Sequence, residues 1–144
     1  MVFAIFATLC AGLFAGAAIY ITLVEHPARV ACGPAIALKE FAPSYQRAAV
    51  MQAFLAVVGC VAGVVAWIQN ANVWLLTGAL LLGSVVPFTL LVIFPTNKRL
   101  LDPALAPDTP ETAALLTRWA RLHAIRSLLG AVAFGLLLLG FASR

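Results

Sequence analysis

The sequence predicts an all-α integral membrane protein: one transmembrane domain over residues 1–144, folded as a four-helix bundle with short interfacial segments. Three observations predict it. First, 64% of the residues are hydrophobic and only 10% are charged, against about 25% charged in soluble domains. So few charges cannot build a water-facing surface. Second, apolar stretches recur four times, each near the ~20 residues that cross a bilayer as a helix. Third, eight of the nine basic residues fall beside the first and third connections between these stretches. That asymmetry is the signature of the cytoplasmic side.

The first helix is expected over residues 2–24, with no charge in it and a Gly12-x-x-x-Gly16 spacing suited to packing inside the bundle. Glu25 to Pro43 reads as an irregular segment punctuated by Pro27 and Pro34, with a short interfacial helix over residues 35–41. Ser44 is the expected N-cap of the second helix, residues 45–68. The uncharged turn at residues 69–72, flanked by Trp67 and Trp74, makes a tight hairpin at a membrane interface. The third helix is expected over residues 73–94 and carries Pro87, which removes one backbone hydrogen bond. Residues 95–109 read as coil outside the membrane. Thr109 caps a fourth helix over residues 110–141, with Pro110 at its first position. At 1.5 Å per residue that helix is about 48 Å long, so its first turns project beyond the hydrocarbon.

The formal charge of +4 does not indicate nucleic acid. The basic residues adjoin apolar spans and form no basic face interleaved with aromatics. The lipid bilayer is the expected partner, together with a small lipophilic molecule and a second copy of the chain. Cys10, Cys32 and Cys60 form no Cys-x-x-Cys pair, so neither a thiol oxidoreductase nor a structural zinc site is indicated. The apolar run 2–24 is too long for a signal core of about 7–15 residues and lacks a basic leader, so it is expected to be retained. The charge pattern places both termini on the non-cytoplasmic side of a bacterial-type inner or plasma membrane, with Arg144 the one basic residue there.

The polar residues converge. Glu25 and His26 end the first span, Tyr45 and Gln52 share one face of the second, and Thr89 and Asn97 flank the end of the third. Trp119, His123 and Arg126 fall at i, i+4 and i+7 on the fourth. Ionisable groups at membrane depth are expensive and face a cavity or one another. A polar pocket at the cytoplasmic end of the bundle is therefore expected. Plainer readings stay open: a backbone-bonded His123, a snorkelling Arg126, a Glu25–Arg126 ion pair, and belt aromatics at Tyr45 and Trp119. His26, His123 and Glu25 are also ligand types for iron or copper, and the two histidines for haem, although no His-x-x-x-His spacing occurs.

Four strings carry a family resemblance: residues 24–29 (VEHPAR), 43–52 (PSYQRAAVMQ), 87–103 (from PFT to PTNKRLLDP) and 119–126 (WARLHAIR). With them the whole chain resembles the anthrone oxygenase-like family of small four-helix membrane proteins, most of them described only as a domain of unknown function. The resemblance implies an oxygenase or other oxidoreductase, since fungal members convert anthrones to anthraquinones with molecular oxygen. It supplies no agreed cofactor beyond oxygen. An anthrone CH₂ is acidic, and its enolate reacts with oxygen, so a base and a nearby cation are required. His123 or His26 is the candidate base and Arg126 the enolate-stabilising cation. Tyr45 or Asn97 would donate hydrogen bonds, Trp119 would stack on the substrate, and Glu25, Gln52 and Thr89 would complete its binding site. The substrate would arrive sideways from the membrane. Non-catalytic binding or transport of a lipophilic molecule, and a haem- or metal-binding membrane subunit, are the alternatives.

Overall fold

The structure, a computed structural model, describes residues 1–143. The expectation for Arg144 lies outside them. Four helices long and apolar enough to cross a membrane make the bundle: α1 (Val2–Ala31), α2 (Pro34–Asn70), α3 (Val73–Leu100) and α4 (Pro110–Ala142). In lipid every backbone group must be satisfied within its segment, and helices do this without a partner. The helices pack as a ring, α1 against α2 and α4, and α3 against α2 and α4. The protein is an all-α membrane four-helix bundle, as its composition predicts.

Three helices are longer than the sequence suggests, and the prolines explain why. A proline has no N–H, and its ring crowds the carbonyl four residues back. In α1 and α3 a π-turn precedes it, Ile21–Glu25 before Pro27 and Thr89–Ile93 before Pro95. His26 N–H bonds the Ile21 carbonyl and Phe94 N–H that of Thr89. This five-residue step slackens the turn and lets each helix run on past its proline, to Ala31 and Leu100. The expected ends at residues 24 and 94 are corrected accordingly.

The second helix begins not at Tyr45 but at Pro34, and contains Pro43. Ser44 is therefore inside a helix and is not its N-cap. The whole first connection is Cys32 and Gly33, and Gly33 reverses the chain with φ of 92°, a left-handed conformation that glycine adopts without strain. At the far end of α2, Ala71 takes a left-handed φ of 51°, and the Asn72 side chain accepts from Trp74 N–H to cap α3. Thr109 caps α4 as expected, accepting from Thr112 N–H. Gly12 faces Phe134 of α4, whereas Gly16 opens on empty space, so only half of that glycine pair serves packing.

Two apolar clusters fill the bundle. One, around Phe14, Leu75, Leu82 and Leu137, occupies the half nearest the termini. The other, around Phe41, Ile93, Leu116 and Trp119, occupies the basic half. The functional residues lie where the two meet.

Candidate active site

A cavity of about 170 Å³ lies among the four helices. Its lower wall is made of small and branched apolar residues, Ala48, Ala49, Ala53, Ala56, Val85 and Val86. Ala53 and Leu90 line it and are also exposed, so its mouth opens on the outside of the bundle between α2 and α3. Its polar residues come from the upper half: Arg29, Ser44, Tyr45, Gln52, Thr89, Asn97, Trp119, His123 and Arg126.

Helix geometry sets the depth. At 1.5 Å per residue, Arg126 lies about 24 Å along α4 from Ala142, and Gln52 about 27 Å along α2 from Asn70. The hydrocarbon is about 30 Å thick. The pair thus sits inside the apolar slab, near its basic-end boundary. Asn97, about 36 Å along α3 from Val73, sits above it.

The deep layer centres on Arg126, which is 9% exposed. Its Nη1 donates to Gln52 Oε1 at 2.6 Å and lies 3.5 Å from His123 Nε2. Its guanidinium carbon stands 4.9 Å from the centroid of the Phe14 ring. That ring has its place because residue 130 is glycine: a Cβ there would come within 2.6 Å of Phe14 Cε1. No ion pair among the described residues includes Arg126. Arg126 Nε and Gln52 Nε2 are buried without a hydrogen-bond partner. A guanidinium cannot lose its proton, so this layer is an unneutralised cation with spare donors beside an apolar cavity.

Above it, His123 stacks on Trp119 with ring centroids 4.6 Å apart. Its Nδ1 faces α1, 3.0 Å from Thr22 Oγ1 and 3.4 Å from Ser127 Oγ. Indole N–H can only donate, and Trp119 Nε1 donates to Asn97 Oδ1 at 2.8 Å. This fixes the Asn97 amide, whose Nδ2 donates to Tyr45 Oη at 3.0 Å. Tyr45 therefore serves Asn97 as an acceptor and keeps its own hydrogen for the cavity. Phe41 stacks on Tyr45 and meets Trp119 edge-on, closing the upper end.

Seven sequence-predicted residues gather around the cavity: Tyr45, Gln52, Thr89, Asn97, Trp119, His123 and Arg126. Thr89 is less available than expected, since its hydroxyl donates to the Val85 carbonyl at 2.7 Å. Trp119 lines the cavity and also packs against His123, His26 and Phe41. Its stacked contact supports the His123 ring.

Two predicted residues lie outside the cavity wall. His26 is buried behind Trp119, ring centroids 4.9 Å apart, and does not line the cavity. Glu25 pairs with Arg29 and accepts from Ser44 rather than meeting Arg126. Arg29 is one of the eight basic residues beside the first and third connections. It is 6% exposed, paired also with Glu40 at 2.7 Å, and lines the cavity. Thr22 and Ser127 were missed altogether. His26, His123 and Glu25 do not converge, and the described residues hold no group of three or more His, Cys, Asp or Glu side chains placed for a metal. The donor set therefore does not fit a metal centre.

The family model described as anthrone oxygenase matches residues 41–136. That stretch contains all seven cavity residues named above and leaves out α1. A curated relative, anthrone oxygenase tpcL of Aspergillus fumigatus, is 53% identical over 49 residues, covering 31% of this chain and 30% of that protein. The chain thus spans less than a third of the curated relative it matches. No solved structure matches. With two thirds of its length matched by the family model, the chain belongs to the anthrone oxygenase family.

Proposed function

We propose that this protein is a membrane oxygenase that oxidises a small lipophilic ketone of the anthrone type, with His123 as the proton acceptor and Arg126, Gln52 and Tyr45 as donors to the oxyanion. The observation that carries the reading is Arg126. It is a buried cation with no carboxylate partner among the described residues, it has an unused N–H, and it touches the one imidazole that lines the cavity. Such a charge is costly at this depth. An anionic ligand oxygen would compensate it.

The chemistry follows from the residues. The ketone oxygen sits among Arg126, Gln52 Nε2 and the Tyr45 hydroxyl. His123 takes one proton from the CH₂ across the central ring, and conjugation through the aromatic rings carries the enolate charge to the oxygen that these donors hold. The enolate gives one electron to O₂, and the two radicals combine to form a C–O bond. His123 returns its proton to the peroxide. Loss of the second C–H proton then breaks the O–O bond, leaving a new C=O and water. One O₂ is consumed per ketone, with no net proton exchange. The mouth beside Ala53 and Leu90 suits a substrate dissolved in the bilayer.

In this reading the basic end faces the cytoplasm of a bacterial-type membrane and both termini face away. Lys39, Arg47, Lys98, Arg99, Arg118 and Arg121 support it, all exposed at that end. Arg29 and Arg126 are buried and carry no weight in the argument.

Oxygen uptake by purified protein in liposomes containing an anthrone tests the proposal. The expected result is one O₂ per anthrone above the rate of empty liposomes, falling at least about 100-fold in His123→Ala. Equal uptake by wild type and variant would overturn the assignment of His123. Tight binding of the anthrone without uptake would favour a carrier of lipophilic aromatics.

A further inference from the structure

We propose that Thr22 and Ser127 are positioning residues that hold His123 as the Nδ1–H tautomer, through the contact of Nδ1 with Thr22 across the α1–α4 interface, so that bare Nε2 faces Arg126. The inference rests on the reading of His123 as the proton acceptor. Neither hydroxyl lines the cavity.

The hydrogens can be placed by elimination. Arg126 Nη1 lies 3.5 Å from His123 Nε2 and can only donate. A hydrogen on Nε2 would set N–H against a cationic N–H. A neutral ring must then carry its hydrogen on Nδ1, where Thr22 Oγ1 lies at 3.0 Å. Thr22 is free to accept there, because its own hydrogen has the Ala18 carbonyl at 2.9 Å. Ser127 sends its hydrogen to Thr22 Oγ1 at 2.8 Å, where the hydroxyl oxygen has a second lone pair to accept it. Every hydrogen has an acceptor and no two donors face each other. In the reverse arrangement, with Thr22 donating to Nδ1, the ring hydrogen points at Arg126.

The consequence is catalytic orientation. When Nε2 takes a proton the ring becomes cationic, and the Nδ1–H···Thr22 bond becomes charge-assisted and stronger. The ring therefore stays aimed at the cavity through both halves of the proton transfer. Thr22 lies within the π-turn of α1, and such turns recur at functional sites.

The test is nitrogen NMR of protein labelled in its two histidines, reconstituted in lipid, with His26→Gln assigning the signals. Wild type should show His123 protonated on Nδ1 and bare on Nε2. Thr22→Val keeps the side-chain shape but removes the acceptor; it should give mixed tautomers and a kcat lowered about tenfold at nearly constant KM. Thr22→Ser should restore both, and Ser127→Ala should shift them in the direction of Thr22→Val by less. Hydrogen on Nε2 in an oxygen-consuming wild type would overturn this inference alone, as would Thr22→Val with unchanged spectrum and kcat. The expected spectrum in a wild type that consumes no oxygen would overturn the functional reading and the positioning role with it.

Discussion

Replacing Arg126 by methionine separates what the guanidinium does for the fold from what it does for chemistry. Methionine is of similar length and apolar. The change removes the bond to Gln52 at 2.6 Å, and hydrogen bonds to charged groups contribute about 1.5–3 kcal/mol. It also removes the contact over Phe14 at 4.9 Å, for which about 2 kcal/mol is a fair figure when desolvated. Against this, it relieves an unneutralised cation of a desolvation cost of several kcal/mol. These terms oppose one another and are similar in size. Thermal unfolding in detergent should therefore place the variant within about 2 kcal/mol of wild type. Oxygen uptake should behave differently, because loss of one oxyanion donor lowers kcat about 10²–10³-fold, or about 2.7–4 kcal/mol of barrier. A folded variant that keeps more than about a tenth of wild-type turnover would refute the oxyanion role. A variant that fails to fold would show that Arg126 is a structural residue.

Other positions test the surroundings of the site. Gly130→Ala places a methyl group against the buried Phe14 ring, so it should cost about 1–3 kcal/mol in unfolding experiments and lower kcat by displacing the ring under Arg126. Ala53→Trp plugs the mouth of the cavity; liposome assays should show a raised KM for substrate with unfolding temperature unchanged. His26→Gln alters a ring packed behind Trp119 and outside the cavity, and oxygen uptake should stay within about twofold of wild type.

Much of this arrangement was legible because it follows helical period. Trp119, His123 and Arg126 share a face at i, i+4 and i+7, and Tyr45 and Gln52 at i and i+7, whatever the rest of the chain does. The prolines misled. Pro27, Pro43 and Pro95 read as helix boundaries, but π-turns in α1 and α3 absorb two of them and α2 contains the third. Nothing in the letters distinguishes a proline that ends a helix from one placed after a slackened turn. Thr22 and Ser127 were hidden for another reason. A hydroxyl in an apolar span ordinarily bonds its own helix, as Thr8 does to Ala4 and Thr77 to Val73. Only the packing of α1 on α4 gives these two a second partner. The place of Arg29 was not legible because charge alone does not tell a headgroup arginine from one buried between two carboxylates, Glu25 and Glu40.

The central claim is that the cavity deprotonates its ligand, and absorption spectroscopy of the anaerobic complex tests it most directly. Without oxygen the reaction stops at the enolate, whose absorption lies to the red of the ketone. Mixing anthrone with wild-type protein under argon should produce the enolate band, His123→Gln and Arg126→Met should each abolish it, and admitting oxygen should discharge it. A wild-type complex that holds only the ketone under argon, yet turns over when oxygen is admitted, would contradict the account.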